Sequence, residues 1–433
     1  MALGSCTWLN FRMQTLTNFM DEINQNVKAV NPNCKTIAEI YPGISEEAVR
    51  VGADVFQMYD VVDVIAHEYS EGEYYASDRA PYDWYNYIIG MHTFRAFAED
   101  KASWMLSYSW YDNENVEPSE AMKNLFASQL FSGTNMWDVK GYVMSSTNDM
   151  QTRTEVYKWV SDYDDIFYSP RRPIEPISVY FSDITRNYFS EEFINSYRGI
   201  LNMLIHSHLP FQIVTSRTID TLSPKILLLP DVKCISYPEA ESLKKLAESG
   251  TKFFVTGEFA TYNEDRVGVR DHLQWLDQYF NDSNFKRLPN CPGKRYTDFM
   301  KEELNNYFGE SGNEYKMLIE RTKFLEDLES FTSFVAEISI QAPIDLIATT
   351  SLNEEYIYLF LTNVNGICTS GNSEPNTLKL IKVSYDDALG GDEVYLLPFL
   401  GVKEKINPQV NGKEINLTIP EIDKGMIVMI KRN

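Results

Sequence analysis

The sequence predicts an α/β chain in three parts: a parallel sheet wrapped by helices, a second and doubly wound parallel sheet, and an antiparallel sandwich. Three observations carry this. Up to about residue 170, short apolar runs alternate with helix-length amphipathic segments. After the stretch Arg171 to Pro176, with two arginines and two prolines, the same rhythm restarts. From about 333 the pattern changes to period-two alternation broken by turn residues. A strand–loop–helix rhythm implies parallel strands, because each needs a long crossover and the helix supplies it. The expected parts are 1–170, 175–332 and 333–433.

In the first part, Phe11 to Val30 reads as an amphipathic helix, with Leu16, Phe19, Met20, Ile23 and Val27 at three- and four-residue steps, stopped by Asn31-Pro32. Lys35 to Tyr41 is a short strand ended by Pro42-Gly43, and Ser45 opens a helix. Val61 to Ala66 is a second strand, followed by a polar loop from Glu68 to Asp83 and a helix from Trp84 to Glu99. Ser103 to Trp110 is the third strand, Ser119 to Leu130 a helix, and Asn135 to Met144 the fourth strand. In the second part, strands are expected at 177–181, 211–214, 226–229 and 252–256, with helices at 191–206 and 238–249. This is an open doubly wound sheet of flavodoxin-like outline, its end blurred by a polar helical stretch from 262 to 330. In the third part, strand runs at 356–361, 377–383, 393–397, 414–418 and 426–430 are separated by Asn-Gly and Gly-Gly turns, the pattern of a β-sandwich.

Composition narrows function. The formal charge is −23, which repels phosphate backbones and anionic lipid, so neither nucleic acid nor a membrane surface is expected as a partner. No apolar run reaches the roughly 18 residues of a membrane span. Aromatic residues reach 13%, enough to supply platforms for flat ligands such as sugars. The five cysteines are far apart and form no C-x-x-C, which argues against a disulfide framework or zinc knuckle. Free thiols favour the cytoplasm; export stays open if a preceding region exists. No Walker loop, G-x-G-x-x-G or G-x-S-x-G occurs, and no organic cofactor or metal is expected. The turn Val255 to Glu258 has no nucleophilic cysteine, and His206 with His208 reads as two imidazoles at a helix end rather than a zinc pair.

The three-part order resembles the β-galactosidases of glycoside hydrolase family forty-two. Trp8 to Arg12 resembles the opening of the helix after that family's fourth barrel strand. Asn31-Pro32 and its following strand resemble the fifth, Val61 to Tyr69 the sixth, Trp104 to Trp110 the seventh, and Ser132 to Trp137 the eighth. Residues 177–258 resemble the middle domain, which in such enzymes helps form a trimer, so self-association through that domain is implied. The implied fold is part of a β/α-barrel, then a flavodoxin-like domain, then a sandwich. A complete barrel has eight strands. Only four are read before the linker, so the resemblance implies that the front half, with the family's acid/base Glu, is absent. The family's nucleophile would end the seventh strand, where this chain has Ser107 or Tyr108.

The resemblance implies retaining hydrolysis of a glycoside by paired carboxyl groups at the C-terminal strand ends. Glu39 and Glu68 are the candidate catalytic pair, Glu39 near the end of the first strand and Glu68 just past the second. Tyr41, His67, Tyr69, Trp110, Asp112 and Trp137 share that rim and are the candidate saccharide contacts. Core or rim packing is the competing role for the tyrosines and tryptophans, a solvated turn for Asp112, a capped loop with a hydrogen-bonded imidazole for His67-Glu68, and an ion pair with an arginine for Glu39. A non-catalytic sugar-binding or assembly module is the alternative function.

Overall fold

The computed structural model describes residues 3–40, 43–45, 51–68, 81–106, 118–137, 150–266, 270–305, 313–367 and 375–433. The first helix, Leu3–Val30, begins earlier than its apolar periodicity indicates. It stops at Pro32, because the residue before a proline is driven out of the helical region. β1 (Ile37–Ile40) follows, then the helix Val55–Val61, β2 (Val64–His67), the helix Pro81–Ala98, β3 (Ala102–Leu106), the helix Pro118–Phe131 and β4 (Asn135–Trp137). The four strands form one parallel sheet in the order β1-β2-β3-β4. Pro81 to Asp83, expected in a loop, forms the first helical turn, where proline's missing N–H costs nothing. Helices Met150–Asp162 and Asp164–Tyr168 complete this part.

The middle part contains β5 (Ile177–Tyr180), β6 (Phe211–Val214), β7 (Ile226–Pro230), β8 (Lys252–Thr256) and β9 (Phe285–Leu288). The sheet is parallel in the order β6-β5-β7-β8-β9, so the winding reverses between β5 and β7. β9 was not expected from the sequence. It is an edge strand, and Lys286 and Arg287 there do not make an apolar run. The polar stretch before the third part resolves into helices Pro292–Asn305 and Asn313–Thr332. The first of these lies against Ser190–Ile205 so closely that a Cβ on Gly199 would sit 1.8 Å from the Gly293 carbonyl oxygen.

The last part has β10 (Ile338–Gln341), β11 (Leu346–Leu352), β12 (Tyr356–Asn363), β13 (Leu378–Asp386), β14 (Val394–Pro398), β15 (Glu404–Ile406), β16 (Gln409–Asn411), β17 (Glu414–Ile422) and β18 (Gly425–Lys431). They form two antiparallel sheets, β10-β13-β17-β16 and β11-β12-β18-β14-β15. Leu359, Leu361 and Val428 from one sheet share a core with Ile381, Val383, Leu417 and Ile419 from the other. The alternate residues Tyr358, Phe360, Ile427 and Met429 turn outward and pack on Phe131, Trp159 and Phe167 of the first part. A further apolar core runs continuously from the helices of the first sheet into the middle sheet.

Candidate functional site

The starts of β1 and β2 are held by Asp63. Its carboxylate accepts from Lys28 Nζ at 2.6 Å and from the Thr36 N–H at 2.8 Å, tying the end of the first helix to the start of β1. Partial burial pushes this carboxyl upward, but those donors outweigh it and hold the group well below the ordinary carboxylate range. From that anchor the ladder register is fixed: Glu39 pairs with Ala66 and Ala66 with Trp104, while Ile40 pairs with His67 and His67 with Met105.

The two faces of the sheet therefore separate cleanly. Ala38, Ile40, Ile65, His67, Ser103 and Met105 share the face that meets the helices. Ile37, Glu39, Ala66, Trp104, Leu106, Asn135 and Trp137 share the other. On that second face Glu39 is exposed, Trp104 and Trp137 are half-buried, and Ala66 and Leu106 are buried. Glu39 makes no ion pair or hydrogen bond to another described residue, so the arginine pairing weighed for it is not formed. Glu68 follows β2 and extends its ladder, its N–H donating to the Ile40 carbonyl at 3.0 Å. Alternation carries it to the side of Ala66, the side of Glu39, and its side chain is half-buried.

His67 lies elsewhere. It is fully buried on the helix face, stacked on Phe94 with ring centroids 4.3 Å apart. Its Nε2 is 2.6 Å from the Tyr59 hydroxyl, which in turn donates to Ser103 Oγ at 2.6 Å. With that hydroxyl already donating, the network assigns the imidazole proton to Nε2. Burial lowers the His67 pKa to about 3, so the ring is neutral. As placed, it is a sheet-to-helix packing residue and has no access to a saccharide, which corrects the binding role expected for it. Tyr41, Tyr69, Trp110 and Asp112 lie outside the described residues. Trp104, which the sequence reading placed only within a strand, shares the open face with Trp137; its spacing of two from Leu106 was the available signal.

The second parallel sheet gathers a different set at its strand ends. Glu239, fully buried, accepts from the Tyr180 and Ser236 hydroxyls and the Ser236 N–H. Asp231 Oδ1 accepts from the Glu258 N–H at 2.8 Å, with Lys233 Nζ 3.7 Å from the Asp231 carboxylate. Cys234 is buried and its thiol is pushed up to about 12 by burial, then by Glu239, so it does not supply a thiolate. Cys291 is likewise raised, first by burial and then by Asp231. His206 Nδ1 is 2.6 Å from the Tyr296 hydroxyl and His208 Nε2 3.2 Å from the Pro343 carbonyl. Among the described residues no three His, Cys, Asp or Glu side chains converge as a metal-ligand set. Nor is any described helix long and apolar enough to cross a membrane.

Solved β-galactosidases and an α-L-fucosidase superpose on nearly the whole of this chain. A β-galactosidase from Bacillus circulans sp. alkalophilus superposes with a TM-score of 0.63 at 10% identity, covering 98% of this chain and 68% of that one. A family forty-two β-galactosidase from G. stearothermophilus gives 0.64 at 11%, covering 99% and 68%. The fold is family forty-two-like. An α-L-fucosidase from Paenibacillus thiaminolyticus is similar as well, at 0.63 and 12% identity, covering 96% of this chain and 71% of that one. No family model and no curated protein sequence matches the chain.

Proposed function

We propose that the chain is a glycoside-hydrolase-like protein that takes a saccharide, a galactoside in the first instance, at the C-terminal mouth of the first sheet. The family forty-two-like parts are read as part of a β/α-barrel (1–170), a flavodoxin-like domain (175–332) that mediates self-association, and a β-sandwich (333–433). The observation that carries the reading is the register pairing of Glu39 with Ala66, which leaves an exposed carboxylate with no partner among the described residues on the face of the sheet opposite His67. Glu68, two residues beyond Ala66, is the second carboxyl group. Trp104 and Trp137 on the same face offer rings for sugar C–H/π contact. In a retaining reaction one carboxylic acid protonates the leaving oxygen while the other carboxylate attacks the anomeric carbon; water then cleaves the glycosyl ester. That chemistry needs the groups about 5–5.5 Å apart and no metal or organic cofactor.

The test is hydrolysis of aryl β-galactosides by the parent chain and by Glu39→Gln and Glu68→Gln. Loss of turnover by about 10²-fold or more in either variant is expected, the usual contribution of a positioned acid or base. Full activity in both would remove the pair from the reaction. A second reading, a non-catalytic saccharide-binding module, is favoured by the absence of any acidic side chain in β3, Ala102–Leu106. Its signature is a parent chain that turns nothing over yet binds galactosides saturably, with binding lost in Trp104→Ala or Trp137→Ala.

A further inference from the structure

The arginines of the segment Arg171 to Pro176 are not absorbed by the site above. Arg172 pins that segment to the end of β11: its N–H donates to the Leu352 carbonyl at 2.9 Å and its carbonyl accepts from the Leu352 N–H at 2.8 Å. Along this seam runs an open cleft of about 830 Å³ whose lining includes Arg171, Arg172, Arg432, Asn353, Glu354 and Glu355.

The three guanidinium groups share one property. Arg432 Nη1 donates only to neutral carbonyls, those of Asn353 at 2.8 Å and Glu354 at 3.4 Å. Arg171 lies over the Phe360 ring at 4.7 Å and the Tyr358 ring at 5.5 Å, and its Nη2 donates to the Phe167 carbonyl at 3.3 Å. Its Nη1 is shielded from solvent and has no hydrogen-bond partner among the described residues. Arg172 is exposed. None of the three forms an ion pair with a described carboxylate, although Glu354 and Glu355 line the same hollow. Other arginines of this chain do: Arg186 with Asp54, Arg217 with Asp60, Arg295 with Glu320. In a molecule of net charge −23, this lining sets three arginines against two glutamates, a formal surplus of 3 − 2 = +1 that a bound anion would neutralise.

We propose that this cleft is a second ligand site, taking a small polar molecule that carries an oxyanion. The guanidinium fork matches a carboxylate, sulfate or phosphate through paired N–H···O bonds, and Asn353 adds a neutral polar contact. The volume suits a ligand of disaccharide size. The oxyanion belongs either to an anionic sugar or to a free inorganic anion. The lining includes none of the residues placed at the mouth of the first sheet, and its case does not use Glu39 or Glu68.

The test is calorimetric titration of the full chain at low salt with digalacturonate, inorganic phosphate and inorganic sulfate, with neutral galactobiose as the control. Saturable binding of at least one anion is expected, weakening as salt rises. The affinity should fall by about tenfold in Arg172→Gln and further in Arg172→Gln/Arg432→Gln, the scale of one lost charge-assisted contact. Arg172 is exposed, so the single variant keeps its fold and carries the test by itself. Digalacturonate bound more tightly than either inorganic ion assigns an anionic sugar; equal or tighter binding of phosphate or sulfate assigns a free anion. The inference is overturned if no anion binds saturably, if Arg172→Gln binds as well as the parent, or if galactobiose binds as tightly as the anions.

Discussion

Asp183 opens a short helix, half-buried and close to the carboxylates of Glu239 and Asp54. Burial first, then Glu239 and Asp54, push its carboxyl up to about 7, while Arg186 pulls the other way. In the unfolded chain the same group releases its proton near 3.8. Between those values the folded form holds more protons, so this group's contribution to stability falls as pH rises from about 4 to about 7 and is level above. Asp183→Asn mimics the protonated acid; its melting temperature should exceed the parent's at pH 8 and match it near pH 3.5, followed by circular dichroism. The buried histidines act with the opposite sign. Burial lowers His67 and His206 to about 3 and His92 to about 4, so stability they contribute is lost as pH falls below the ordinary histidine value of about 6.5. Asp54 also matters as a partner. Its carboxylate and the Arg186 guanidinium, 2.9 Å apart, are both wholly inaccessible. Asp54→Ala strands a buried cation and should cost about 3–5 kcal/mol in urea unfolding, whereas replacing both partners with apolar residues should cost far less.

Among the elements, the helix pair Ser190–Ile205 and Pro292–Asn305 is set by glycine. Changing a helical glycine to alanine normally adds about 1 kcal/mol of stability. At Gly199 the sign should reverse, because the new methyl group would overlap the Gly293 carbonyl. Gly199→Ala is expected to destabilise by about 1–3 kcal/mol, read as a lower urea midpoint with an unchanged slope. The elements also show where sequence pattern works and where it stops. Period-two alternation identified β12, β13, β14, β17 and β18, because each buries one face and wets the other or sits at the centre of a sheet. It missed β9, β10, β11, β15 and β16, each at the edge of its sheet, where one side lacks a neighbouring strand and polar residues are tolerated. β2 is buried at all four positions, so its sequence carried no hint of which side His67 would take.

At the scale of the whole molecule the first two parts are joined by one core. Phe97, from the helix Pro81–Ala98, meets Phe56 at 5.2 Å and Phe181 of the middle part at 4.9 Å between ring centroids. Arg217 of the middle part donates to the Phe56 and Phe97 carbonyls and to Asp60, and its guanidinium lies 3.8 Å from the Phe56 ring centroid. Such a seam behaves as a core and not as a hinge. The two parallel sheets are therefore expected to lose hydrogen-exchange protection together. Phe97→Ala, a large-to-small change costing about 3–5 kcal/mol, should lower protection in β2 and β5 alike; a loss confined to β2 would show that the parts open separately.

The sequence by itself determined most of the strands and helices and the change from parallel to antiparallel pairing along the chain, because those follow from local matters: apolar spacing, proline and glycine stops, and turn chemistry between neighbours in the chain. It also placed Glu39 and Glu68 at strand ends, since a strand end is a local event. Only the tertiary structure decided that Glu39 faces away from the helices while His67 packs beneath them, that Trp104 joins Trp137, and that Arg171, Arg172 and Arg432 line one cleft. Each of these depends on which face of a sheet a layer of helices covers, or on bringing together residues about 260 positions apart, from the linker and the last strand, and no spacing along the chain encodes that.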